Sequence, residues 1–583
     1  MLKRWSLVVM LLLIVPVVAQ NNPDSTLPAD SVLERIRPET IRAHMNFLAD
    51  DLLEGRGTGT RGYQLAANYV RTQFEAMGLK PAGLDGSYYQ KVPFRRISLL
   101  PQGSSVSVKN TSQEQKLIYE TDFVLRGDPL RTDTTVTGPV VFVGFGVTAP
   151  QFGYDDYSGA DVKGKIVAML YGAPAKFPSA PRAHYSAGRI KIANAVAHGA
   201  VGYVLIWAGQ VEERIPFSRV VRFYREQSLR WLDKNGAPND AQPQIRASAT
   251  LSKTGAAYLF DGAPKTFAEA LDISAQGKPQ SFALARTMTI HVVSQHTPAE
   301  SPNIAAVLPG SDPQLKNEFI VYSAHADHLG IGEAIDGDNI YNGALDNASG
   351  TAAVLTLAHV FSELPKAPRR SILFLIVTGE EEGLLGSDYY AHNPTIPIPQ
   401  IAANINIDGV SLLYDFRDIV PLGAEHSSIA AAVDRVAQHF AVEVSPDPLP
   451  EEVFFIRSDQ YSFVRQGVPA VDIIEGFKAV DPKINGRDTS LEWERTLYHT
   501  PKDDMQQPLN FEAATKLTRV DFALGYVLAQ QNQRPSWNQG ISSHRSPNSK
   551  SSTGAKAPRI GCVQSGAKAP LSAVPIHERV LTH

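Results

Sequence analysis

In the second half of the chain, apolar positions fall into short unbroken runs separated by longer, helix-like stretches. Glu318 to Ala324, Arg370 to Thr378 and Ile401 to Ile407 are apolar segments of strand length, whereas Ser349 to Leu364 and Ser427 to Phe440 are long enough for helices. Strands without polar alternation are those covered on both faces. Their alternation with helices predicts an α/β domain with a mostly parallel mixed sheet flanked by helices. Nearer the N-terminus, Thr40 to Ala49 and Tyr63 to Met77 read as helices around a Gly-rich turn, Gly55 to Gly62. The second carries Leu65, Ala66, Tyr69, Val70 and Phe74 along one face and ends before Gly78, while Tyr88 to Phe94 reads as a strand.

Between these parts the texture changes. Gly138 to Gly146 and Gly164 to Leu170 are short β-type runs bounded by turn residues, with a single helix-like piece from Gly188 to His198. This predicts a β-rich α+β domain inserted at 97–286 into a catalytic domain made of 30–96 and 287–534. Residues 535–583 are rich in Ser, Pro, Gly and Lys and predict a disordered tail. At the other end, Lys3 and Arg4 precede an apolar run from Leu7 to Ala19, the pattern of a secretory signal peptide over 1–19. The run is short of the roughly 20 apolar residues of a spanning helix, so after cleavage no membrane span is expected and the product is secreted or periplasmic. Cys562 is the only cysteine, which excludes an intrachain disulfide. A formal charge of −4 gives no basic field for nucleic acid.

The chemistry lies where the strands end. One apolar run delivers His325 and Asp327, the next Glu380 and Glu381, and a third Asp408. Open α/β sheets bind ligands beyond the carboxyl ends of their strands, so these groups can converge. Asp346 stands just ahead of a helical run, and His499 sits in a loop before Pro501. Any one of them alone reads as a helix cap or a satisfied edge residue. Together they form a nitrogen and oxygen donor set that suits zinc, with manganese or cobalt as alternatives. Adjacent Glu380 and Glu381 at the end of an apolar strand also call for a cation to offset their repulsion and desolvation. Gly159 to Lys165 approaches a phosphate-binding loop, but Ile166 stands in place of Ser or Thr and a strand follows, which excludes nucleotide binding.

His325-Ala-Asp327, Gly343 to Gly350 around Asp346, Glu380 to Ser387, Asp408 and His499-Thr-Pro501 together resemble the M28 family of zinc peptidases. The intervening block resembles the protease-associated (PA) domain that some members insert. The resemblance implies a zinc-exopeptidase fold of the phosphorylase/hydrolase-like type and two zinc ions per chain. Asp346 would bridge them, Glu381 and His499 would complete one site, and His325 and Asp408 the other. Glu380 would be the general base, and Asp327 would accept a hydrogen bond from the His325 ring without binding metal. Peptides would be the substrates, with an aminopeptidase as the first expectation. A carboxypeptidase or dipeptidase using Arg457 or Arg465, a glutaminyl-cyclase-like acyltransferase and a non-catalytic receptor module are the alternatives. The segment Arg457 to Phe463 also resembles the family's pocket region, with Gln460 where many relatives have His. Tyr498 is set aside as packing, and His328 as solvated or supporting.

Overall fold

The computed structural model describes residues 27–539, apart from 111–112, 451 and 453. The expected signal peptide and most of the expected tail lie outside them. Residues 536–538 pair with 426–428 through backbone hydrogen bonds, and Trp537 Nε1 donates to Gly467 O, so the C-terminal arm is fastened past Pro535.

The catalytic sheet centres on four parallel strands in the spatial order Ser371–Val377, Phe319–His325, Ile401–Asn406 and Ala470–Glu475. Antiparallel strands extend it on both sides, Asp418–Leu422 beyond the last of these and Phe282–Leu308 beyond the first. Alternate residues along one strand explain the unbroken apolar runs. Ile320, Tyr322 and Ala324 join a core with helices Pro38–Leu48, Arg61–Ala76, Gly350–Ser362 and Phe511–Gln530, whereas Phe319 and Val321 pack on the opposite face with Tyr390 and Phe463. Both faces are covered, so neither needs polar side chains.

The insert has its own core. Four parallel strands, Asp133–Phe142, Ile166–Leu170, Gly202–Ile206 and Ala247–Leu251, build its centre, with helices Gly188–Ala197, Lys253–Phe260 and Phe267–Ala275 around them. It is more helical than the sequence pattern conveys. Two strands run across the expected domain borders without a break. Tyr89–Leu99 pairs with Ser294 to Ile304, and Phe282–Leu308 serves the insert sheet with its first half and the catalytic sheet with its second. The insert also lends strand Ser228–Trp231 to the edge of the catalytic sheet, opposite Phe94 to Ile97. Continuous strands leave no flexible linker at either crossing.

The Gly-rich turn before the helix Arg61–Ala76 carries a fully buried cation. Arg56 donates from Nε to Ala326 O at 2.8 Å and from its terminal nitrogens to Leu48 O, Asn342 O and Gly343 O. Burial lowers its pKa to about 10 against the opposing pull of Asp346, Asp503, Asp327 and Glu381. The guanidinium thus fixes two loops of the site while partly balancing its carboxylates. Removing it strands several buried carbonyls, and Arg56→Ala should cost at least about 3 kcal/mol in chemical denaturation. A loss below about 1 kcal/mol would mean that water takes over these bonds.

Candidate metal centre

The parallel strands end at one edge, and their side chains meet there. His325 closes Phe319–His325, Glu380 and Glu381 follow Ser371–Val377 after Thr378 and Gly379, and Asp408 follows Ile401–Asn406. Asp346 arrives from the turn ahead of the helix Gly350–Ser362. Its backbone N–H and that of Leu345 donate to the carboxylate of Asp503, at 3.0 and 2.9 Å. His499 reaches in from a loop with a left-handed backbone, φ 58°, unusual for a residue with a Cβ.

The geometry has a shared centre. Asp346 Oδ1 stands 3.4 Å from His325 Nε2, and its Oδ2 stands 3.1 Å from His499 Nε2. Each imidazole has one further carboxylate close by, Asp408 Oδ1 at 3.1 Å from His325 Nε2 and Glu381 Oε2 at 3.1 Å from His499 Nε2. Two donors that are each about 2.0–2.1 Å from a tetrahedral zinc stand roughly 3.3 Å apart, so these separations are those of ligands to a common ion. His325, Asp346 and Glu381 also place one donor atom each within 4.8 Å of one another. The residues therefore fit a pair of cations with Asp346 between them.

The protons are arranged to match. His325 Nδ1 donates to the carbonyl of Asp327 at 3.1 Å, which leaves the Nε2 lone pair for a metal. Burial opposes protonation of both histidines, but carboxylates outweigh it. Asp408 and Glu380 hold His325 well above its ordinary range, and Glu381 and Asp346 push His499 up to about 10. Burial works against ionised Asp346 too, yet His325 and His499 keep its carboxyl well below the usual range. The site thus draws positive charge to the positions where cations would sit. Glu380 differs from its neighbour. Its Oε2 is 3.9 Å from His325 Nε2, and burial, with Asp408 and Glu381 nearby, pushes its carboxyl well above the usual range.

Asp327 is placed otherwise than expected. Its carboxylate does not take the ring proton of His325, from which Oδ1 is 3.9 Å away, because the residue's own carbonyl does so. Instead the carboxylate accepts from Thr58 Oγ1 at 3.0 Å and from the backbone N–H groups of Glu380 and Glu381, each at 3.3 Å. It orients the loop of the Glu pair. His328, set aside in the sequence as solvated or supporting, is 2% exposed and donates from Nδ1 to Glu381 Oε1 at 2.6 Å. Its place three residues after His325 carries no strand or helix period that would have brought it forward. Gln460 is fully buried. It bridges Asn406 and Phe455 O. Tyr498 stacks on the His499 ring with centroids 3.8 Å apart.

A parallel-sheet α/β domain that gathers two imidazoles around a shared carboxylate defines a metallohydrolase type of centre. Residues 303–524 match the model of Peptidase family M28. Among curated relatives, a probable leucine aminopeptidase 2 of Aspergillus oryzae is 24% identical over 281 residues, 45% of this chain and 52% of that protein. A leupeptin-inactivating enzyme 1 of Streptomyces exfoliatus is 34% identical over 107 residues, 18% of this chain and 22% of that one. The chain thus spans about half the length, or less, of these relatives. An aminopeptidase from Aneurinibacillus sp. strain AM-1 shares the fold at 19% identity, with a TM-score of 0.50 over 88% of this chain and 97% of that one. No helix among the described residues is long and apolar enough to cross a membrane.

Proposed function

We propose that the chain is an exported metallopeptidase that holds two zinc ions and releases N-terminal residues from peptides. The observation that carries this reading is Asp346 between two donor sets, each with one imidazole and one further carboxylate. His325, Asp408 and Oδ1 of Asp346 would hold one ion, and His499, Glu381 and Oδ2 of Asp346 the other. Bound there, zinc supplies Lewis-acid activation of the scissile carbonyl and of water. Glu380 lies outside both donor sets and acts as the general base. Its carboxylate takes the proton of the attacking water as the C–O bond forms and gives it to the leaving nitrogen as the C–N bond breaks. Asp327, through the two backbone N–H groups it accepts, keeps Glu380 and Glu381 in their separate orientations.

A cleft of about 1730 Å³ between the insert and the peptidase domain is lined in part by Glu382 and Gly383, the two residues after the Glu pair, though by none of the donor residues themselves. The insert, read as a PA domain, would limit access to the centre. Export rests on the signal-like residues 1–19. Release from the N-terminus is favoured by the aminopeptidase names of the relatives and by Arg465. That residue would offer a cation to a substrate carboxylate, but it is already engaged by Asp388 at 2.9 Å.

With zinc added, peptides with a free N-terminus should release free amino acids whether or not the C-terminus is amidated, and N-acetylation should abolish release. Cleavage that survives acetylation but is lost on amidation would assign a carboxypeptidase instead.

A further inference from the structure

The loop from Gly379 to Leu384, which carries Glu380 and Glu381, is held by Asp327 at its start and from outside the peptidase domain at its end. Within itself it is closed by backbone bonds. The N–H groups of Gly383 and Leu384 both donate to Glu380 O, and that of Leu385 donates to Gly379 O, each at 2.8 Å. It ends at Leu384, whose left-handed φ of 62° turns the chain into the helix Leu385–His392. Asp388, in the first turn of that helix, donates its backbone N–H back to Leu384 O at 2.9 Å. The end of the loop is therefore bonded to the start of this helix.

Asp388 is 4% exposed, and its two oxygens face two different parts of the molecule. Oδ2 accepts from the indole Nε1 of Trp231, an insert residue, at 2.9 Å. Oδ1 accepts from Arg465 of the peptidase domain, also at 2.9 Å. Trp231 is itself fixed. It ends the strand Ser228–Trp231, faces Phe94 across the ladder, and lies edge-on to Tyr389 with centroids 5.4 Å apart. With Val92, Phe94, Leu229 and Leu385 it forms a small apolar cluster of its own. One carboxylate thus ties a rigid strand of the insert to the helix that ends the catalytic loop.

We propose that Asp388 is a positioning residue through which the insert, by way of Trp231, fixes the loop bearing Glu380 and Glu381. The inference rests on the roles given to that pair above. The insert then acts on the reaction itself and not only on access to the centre. A buried hydrogen bond to a carboxylate is directional, so its loss frees the helix start even where the aromatic packing stays.

The test is Trp231→Phe, which removes the N–H and keeps an aromatic ring, together with Asp388→Asn and the double variant, all in the full chain with zinc. Expected for Trp231→Phe is a fall of about tenfold in kcat with KM within about twofold, which is the signature of a lost transition-state interaction. The double variant should be no worse than the poorer single one, the sign of a shared interaction. Hydrogen exchange at the amides of Gly383, Leu384 and Leu385 should speed up relative to amides of Phe511–Gln530. A lower melting temperature with unchanged kcat and unchanged loop exchange would overturn the proposal and leave Trp231 as packing only. Additive losses in kcat would overturn it as well. Faster loop exchange in Trp231→Phe than in a wild type that itself cleaves no peptide would sink the peptidase reading while upholding the clasp on the loop.

Discussion

Glu380→Gln should lose peptide hydrolysis by about 10²–10⁴ in kcat, the range of positioned acid–base groups, while keeping its full zinc content. The amide is nearly isosteric with the carboxyl, so packing is preserved, but it cannot take a proton from water or pass one to the leaving nitrogen. Zinc retention follows from the geometry. Glu380 Oε2 stands 3.9 Å from His325 Nε2, farther than either carboxylate of the two donor sets, and none of the 3.1–3.4 Å contacts around Asp346 involves it. The partner experiment is Glu381→Gln, where the same change strikes a donor 3.1 Å from His499 Nε2 and should cost metal as well as rate. Metal analysis beside steady-state kinetics separates the two. If Glu380→Gln lost zinc while Glu381→Gln kept it, the roles of the pair would have to be exchanged. Equal retention with full activity in Glu380→Gln would remove it from the mechanism.

The catalytic strands could be read from the chain because burial on both faces writes itself as unbroken apolar runs. The expected Arg370 to Thr378 and Ile401 to Ile407 became Ser371–Val377 and Ile401–Asn406. The convergence of His325, Glu381 and Asp408 was legible for the same reason, since parallel strands bring their C-terminal ends to one edge, whereas Asp346 and His499 were legible only as turn and loop residues over that edge. Other features depend on tertiary pairing, which leaves no local signal. Nothing in the residues around Ile97 or Thr287 indicates that Tyr89–Leu99 and Phe282–Leu308 continue through the domain borders. The short helices Lys253–Phe260 and Phe267–Ala275 of the insert are too brief for a period to stand out, although Thr266 and Glu269 form a capping box at the second. Arg56 lay unremarked in a Gly-rich turn because its partners are carbonyls far along the chain. Asp327 was assigned the wrong bond for a geometric reason. The turn after the strand brings its carbonyl within reach of the His325 ring before its side chain, which frees the carboxylate for Thr58 and the loop amides.

Asp346→Asn should do the most damage of any single substitution at the centre, because this one side chain serves both donor sets. Its Oδ1 belongs with His325 and Asp408, its Oδ2 with His499 and Glu381, and an amide offers one carbonyl oxygen and one NH₂ in their place. The NH₂ cannot donate a lone pair to a cation, so one donor set loses a ligand outright and the other loses its negative charge. Zinc content should fall below half of wild type and kcat by at least about 10³, beyond the loss of one acid–base group alone. Stability reports the same event independently of activity. A ligand that binds only the folded chain at 1,000 times its dissociation constant adds about 4 kcal/mol, so zinc should raise the melting temperature of the chelated wild type by several degrees. The zinc-dependent rise should largely vanish in Asp346→Asn. The backbone N–H bonds of Leu345 and Asp346 to Asp503 do not use the substituted side chain, so the turn itself should hold and the metal-free variant should still fold. A variant that keeps two zinc ions and the full thermal rise would show that Asp346 is not shared, and the two donor sets would then have to be redrawn around His328, whose Nδ1 lies 3.8 Å from Asp346 Oδ2 and 2.6 Å from Glu381 Oε1.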